Sequence, residues 1–167
     1  MQHTTNAFAI LRRTALMAAI TLAMAGCATN PKPLNLADSI ASNPSLSTFN
    51  TLVAQGGLSE TLTSGGPYTV FAPTNDAFKT VPAATMADLS KHPEKLKAVL
   101  SYHITSGKLM AADIKNSDAK TLNGANVALS KAGDFVTVEN AAVVVADLGA
   151  TNGVVHTIDT VLMPPKK

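Results

Sequence analysis

Near Lys108 the chain changes texture, and that change constrains its fold more than any other feature. Upstream, apolar residues recur at helical spacing: Leu46, Phe49, Leu52 and Val53 share one face, and so do Leu96, Val99 and Leu100. Downstream, short β-forming runs alternate with turn residues. The runs are 119–122, 127–130, 135–139, 142–146 and 154–162, with breaks at Asn123-Gly124, near Gly133-Asp134, at Asn140 and at Thr151-Asn152-Gly153. Asn-Gly pairs adopt the positive φ that tight turns need, so they are strong breaks. Helices first and strands later, in 167 residues that suffice for one core, imply an α+β domain, not a doubly wound sheet.

The upstream half divides at its own punctuation. A short helix over 34–42 stops at Asn43-Pro44, and Ser45 is placed to cap a second helix ending at Gly56-Gly57. Residues 58–63 continue as a turn or short helix, broken by Ser64-Gly65-Gly66-Pro67. Residues 68–71 read as a strand. Pro73 stops it, and Thr74 or Asn75 caps a helix with Asp76 in its first turn and Phe78 as its inward anchor. Pro93 opens a further helix, and 102–104 follow as an extended piece. In the last run Val154 and Ile158 share one parity, Val155 and Val161 the other, which implies a strand covered on both faces. Gly153 lets the turn before it approach closely.

The first thirty residues read as an address. Arg12-Arg13 precede the apolar run 15–25, and Gly26-Cys27 follows, the arrangement of a secretory signal. The run is shorter than the roughly 20 residues that span a bilayer. Met24-Ala25-Gly26-Cys27 resembles the lipobox of bacterial lipoproteins. That resemblance implies cleavage after residue 26 and acylation of Cys27, with Ala28 implying outer-membrane sorting. Residues 27–33 then form a lipid-anchored tether and 34–165 the domain. Without the leader, 11 lysines balance 11 acidic residues and no arginine remains. A neutral, arginine-free domain lacks the basic footprint of a nucleic-acid binder.

Three segments in order carry a second resemblance. They are 68–78, YTVFAPTNDAF; 100–104, LSYHI; and 152–164, NGVVHTIDTVLMP. The chain from about 34 to 165 resembles the fasciclin (FAS1) domain family. The resemblance implies a single domain with short N-terminal helices packed on a β-sandwich or wedge of short strands. It also implies an adhesion or interaction module instead of an enzyme. In some animal members of that family the tyrosine-histidine element is implicated in receptor recognition, which makes Tyr102 and His103 the candidate partner-binding residues. The alternative reading is that Tyr102 and Leu100 pack the core while His103 hydrogen-bonds behind them.

The remaining chemistry is sparse. His92, His103 and His156 show no HxH, HExxH or CxxC spacing, so no metal site is expected. No GxSxG elbow or phosphate-cradling glycine motif occurs, and no catalytic residue or cofactor is expected. Asp76 reads as a helix-dipole residue and Asp159 as a strand-end residue making local hydrogen bonds. The expected function is a surface or periplasm-facing module, anchored to the membrane by lipid and binding a protein or polysaccharide. The alternative is a periplasmic carrier of a small apolar ligand, a lipid or pigment.

Overall fold

Short helices gather at the front of the chain because each apolar cluster is soon interrupted by glycine or proline. The computed structural model describes residues 33–165. The expected signal, the Cys27 lipidation site and the tether as far as Lys32 lie outside these residues. Helix α1 (Leu36–Ala41) is capped by Asn35, whose side chain accepts from the Asp38 amide. A 3-10 turn (Pro44–Leu46) leads into α2 (Ser47–Gln55), and α3 (Ser59–Ser64) follows. Strand β1 (Tyr68–Pro73) then runs into α4 (Asn75–Lys79), α5 (Ala83–Lys91) and α6 (Pro93–Tyr102).

The remaining strands are β2 (Ile104–Ser106), β3 (Ser117–Lys120), β4 (Asn126–Ala132), β5 (Phe135–Val138), β6 (Ala141–Ala150) and β7 (Gly153–Ile158). They join β1 in one seven-stranded sheet, ordered β2-β1-β7-β6-β5-β4-β3. Only β1 and β7 pair in parallel, with Tyr68 opposite Gly153 and Pro73 opposite Ile158. The α+β wedge is thus a single sheet rolled until its edges nearly meet. A bridge between Thr105 and Thr121 and a 2.8 Å bond from the Leu122 amide to the Ile104 carbonyl form the seam.

Two apolar clusters fill the domain. One lies under the helices and includes Leu36, Ile40, Phe49, Leu62, Leu100 and Val155; the other lies inside the roll and includes Phe71, Val127, Val138, Ile158 and Leu162. All six residues of β7 are buried, because the strand separates the two clusters. That is the two-sided coverage its mixed parity implies.

Three local expectations are corrected. Tyr102 completes α6 and His103 caps it, so the extended chain starts only at Ile104. The cause is the His103 ring, whose Nδ1 lies 2.8 Å from the Val99 carbonyl and satisfies a last-turn acceptor. Ser45 does not cap α2. Asn75 reaches across instead: its Oδ1 accepts from the Thr48 amide at 3.0 Å, and its Nδ2 donates to the Pro44 carbonyl at 2.9 Å. Thr74 alone caps α4, where Ala77 is fully buried and Phe78 only half so. Helix α5 buries Leu89 and packs Met86, three residues earlier on the same face, against the cluster under the helices.

Candidate interaction surface

Both signature histidines are interior residues with their ring nitrogens occupied by backbone. His103 accepts the Leu162 amide at Nε2 (3.0 Å) and therefore carries its proton on Nδ1, which donates to the Val99 carbonyl. His156 is the mirror case. Its Nδ1 accepts the Asp147 amide at 3.2 Å, so Nε2 carries the proton and donates to the Leu109 carbonyl at 2.7 Å. Each ring packs on an aromatic: His103 on Phe49, with centroids 6.0 Å apart, and His156 on Phe71 at 5.6 Å. The two histidines share no hydrogen bond and clip different segments.

Burial pushes the His103 pKa down to about 4, against the opposing pull of the Val99 carbonyl. Burial also lowers that of His156, opposed by the Leu109 carbonyl and the nearby Asp147. Protonating His103 would place a proton on Nε2 facing the Leu162 N–H. An unfolded chain holds an ordinary histidine, so between about pH 6.5 and 4 it binds more protons than the folded one. Stability is therefore full above about pH 6.5 and falls as pH drops through the folded value, His103 alone accounting for about 3 kcal/mol. Urea midpoints measured across this window should fall steeply, and a flat profile would contradict the neutral assignment.

Tyr102, like His103, is 1% exposed. Its hydroxyl donates to the Glu139 carboxylate and lies 3.1 Å from the Asn126 carbonyl. Burial, reinforced by Glu139, pushes the phenol well above its usual range. Neither member of the Tyr102-His103 pair offers its side chain to a partner in this conformation. The carboxylates are equally engaged: Asp76 pairs with Lys79 at 2.6 Å on the surface, and Asp159 accepts the Ala142 amide at 2.8 Å. Among the described residues no group of three or more His, Cys, Asp or Glu is placed to hold a metal. Nor is any described helix long and apolar enough to cross a membrane.

What the surface does offer is a groove of about 790 Å³ between α5, α6 and the C-terminal segment. Leu89, Ala98 and Val99 form its floor and Met163-Pro164-Pro165 one wall, while the ion pair of Lys95 with Asp88 (2.9 Å) lies on its rim. Met163 is 41% exposed there. No sequence motif marks this site, because its walls are far apart in the chain. Asn152, whose sequence context marks only a turn, has a larger role. Its Oδ1 accepts the Leu36 amide at 2.9 Å, and its Nδ2 donates to the carbonyls of Leu62 (2.9 Å) and Gly65 (2.7 Å).

Comparison with known proteins agrees with this architecture. The Fasciclin domain model matches residues 44–164. Protein sll1483 of Synechocystis sp. is 37% identical over 140 residues, covering 83% of this chain and 78% of that protein. The cell surface glycolipoprotein MPB83 of Mycobacterium bovis is 38% identical over 147 residues, covering 85% of this chain but only 64% of that protein. Among solved structures, a FAS1 domain pair from the insect cell adhesion molecule fasciclin I superposes with a TM-score of 0.62 at 17% identity. The match covers 78% of this chain and 51% of the pair, and it speaks for the fold.

Proposed function

The chain belongs to the fasciclin family, and from that premise we propose that it is a non-enzymatic interaction module, lipid-anchored at the outer membrane, that receives a protein partner in the groove between α5 and α6. The observation that carries this reading is the engagement of the signature side chains. His103, His156 and Tyr102 are buried and hydrogen-bonded within the domain, so they serve its shape and leave recognition to the surface. The names of two similar proteins, a cell surface glycolipoprotein and a cell adhesion molecule, support a place at the cell surface.

Leu34, beside the expected tether, accepts the Thr151 amide at 2.9 Å and so lies at the Gly153 end of β7. The groove wall at Met163–Pro165 follows the opposite end of β7, a strand about 17 Å long at 3.3 Å per residue. Aliphatic residues and prolines line the groove, which suits apolar side chains of a protein better than the hydroxyls of a polysaccharide. Its volume also lies within the range of small-ligand pockets, which keeps the apolar carrier as a second reading.

Two experiments test the proposal. The Cys27→Ser chain should leave the membrane fraction for the soluble envelope fraction, and its recovery in the membrane pellet at unchanged yield would count against the anchor. A photo-crosslinking residue at position 163 should capture a protein in the host envelope. The same crosslinker placed at position 98 should also capture it, and adding Met163→Glu should abolish that capture. Capture of carbohydrate, or a co-purifying stoichiometric small molecule in native mass spectra, would replace the protein partner with one of the other occupants.

A further inference from the structure

The chain contains two Asn-Gly pairs, and the fold treats them in opposite ways. Asn152-Gly153 is clamped: three hydrogen bonds hold the Asn152 carboxamide, and a Cβ on Gly153 would overlap the Tyr68 carbonyl oxygen. Asn123-Gly124 is open. Among the described residues no hydrogen bond holds the Asn123 carboxamide, and Gly124 is exposed, with nothing within 4 Å of the place a Cβ would occupy. Gly124 has φ +87°, and its amide makes one bond, 2.9 Å to the Thr121 carbonyl across the turn.

From this contrast we propose that Asn123 is a self-modification site, where the folded protein converts asparagine to aspartate and isoaspartate. The Gly124 amide nitrogen attacks Cγ of Asn123, a C–N bond closes a five-membered succinimide, and the side-chain nitrogen leaves as ammonia with the proton displaced from Gly124. Water then opens one of the two ring carbonyls. Opening at the side-chain carbonyl restores a normal backbone with an aspartate, and opening at the main-chain carbonyl leaves isoaspartate. The step needs the Gly124 amide to leave the Thr121 carbonyl, a local event at the tip of a turn whose base is held by the Thr121 amide and hydroxyl on the Ala125 carbonyl (3.0 and 2.7 Å). At Asn152 the same step requires α1, α3 and the start of β7 to separate.

The position gives the modification a structural consequence. Residues 121–123 are the seam of the rolled sheet: the Leu122 amide bonds the Ile104 carbonyl at 2.8 Å, and the Asn123 amide bonds that of Ser101 at 3.3 Å. Isoaspartate adds a methylene to the main chain and a negative charge at this seam. It shifts Leu122 and Thr121 relative to β2 and loosens the closure in front of Tyr102. The reaction is one-way, so it marks the age of each molecule at the junction of β2 and β3.

The test is to hold the protein as isolated from its host in mildly alkaline buffer and to follow both Asn-Gly peptides by mass spectrometry and isoaspartyl methyltransferase labelling. Asn123 should gain mass and label at least about tenfold faster than Asn152, the factor that about 1.4 kcal/mol of extra opening free energy supplies. In denaturant the two rates should converge. The Asn123→Gln protein should stay unlabelled at the turn, and hydrogen exchange at the Leu122 amide should be faster in the modified protein than in this variant. Native rates that are equal, or faster at Asn152, would overturn the assignment; unchanged exchange at Leu122 after modification would overturn the effect on the seam.

Discussion

Replacing Asn152 with aspartate is expected to destabilise the domain by about 4 kcal/mol, although the two side chains are nearly the same size. The acceptor for the Leu36 amide survives, but both donors are lost. A carboxylate then faces the carbonyls of Leu62 and Gly65, which now sit 2.9 and 2.7 Å from the amide nitrogen. Leaving these half-buried acceptors unpaired costs about 1 kcal/mol or more each, and the repulsion adds to it. Against a total of about 5–15 kcal/mol, such a loss removes much of the folded population at ordinary temperature. Chemical denaturation of Asn152→Asp beside Asn123→Asp provides the comparison. The second variant should change stability by no more than about 0.5 kcal/mol, since it alters an exposed turn. A loss below about 1 kcal/mol at position 152 would show that Asn152 does not tie these segments together.

Gly153→Ala should be at least as severe, with a loss above about 4 kcal/mol, beyond the usual range for overpacking. The added methyl would overlap the Tyr68 carbonyl oxygen and come within 2.9 Å of Leu36 Cδ1 and 3.0 Å of the Tyr68 carbonyl carbon. Leu36 can change rotamer, but the Tyr68 carbonyl cannot move without parting β1 from β7, the one parallel pair in the sheet. Gly149→Ala is the control. It lies in β6 with nothing within 4 Å of the place its methyl would occupy and no positive φ, and it should change stability by less than about 0.5 kcal/mol. Thermal melting of both variants gives the answer, and a Gly153→Ala protein that melts with Gly149→Ala would contradict the close approach.

Much of this fold is legible in the sequence because its determinants are local. The mixed parity of 154–162 announces a strand buried on both faces, although the strand itself ends at Ile158, and the turn residues at 123–124, 133–134, 140 and 151–152 fall between the observed strands. What is not legible depends on residues distant in the chain. Asn75 caps a helix that begins 28 residues earlier, in a sequence context where a cap for its own helix is the natural reading. Tyr102-His103 looks extended until the Val99 carbonyl captures the imidazole and prolongs α6. The groove escapes sequence reading for the same reason: α5, α6 and Met163 form it together, and none signals it alone. Asp147 is a further case, with φ +59° at an irregularity of β6 where its amide meets His156 and its carboxylate accepts the Ala111 amide at 2.8 Å.

The signature histidines decide whether polar residues inside this domain serve its architecture or its recognition chemistry. Nitrogen-15 NMR of the imidazoles near neutral pH reads that distinction directly. The proton should reside on Nδ1 in His103 and on Nε2 in His156, and His103 should stay neutral until the pH approaches about 4. A His103 that titrates near 6.5, or the opposite tautomer in either ring, would mean that these side chains are not bound to the backbone and are free for other work.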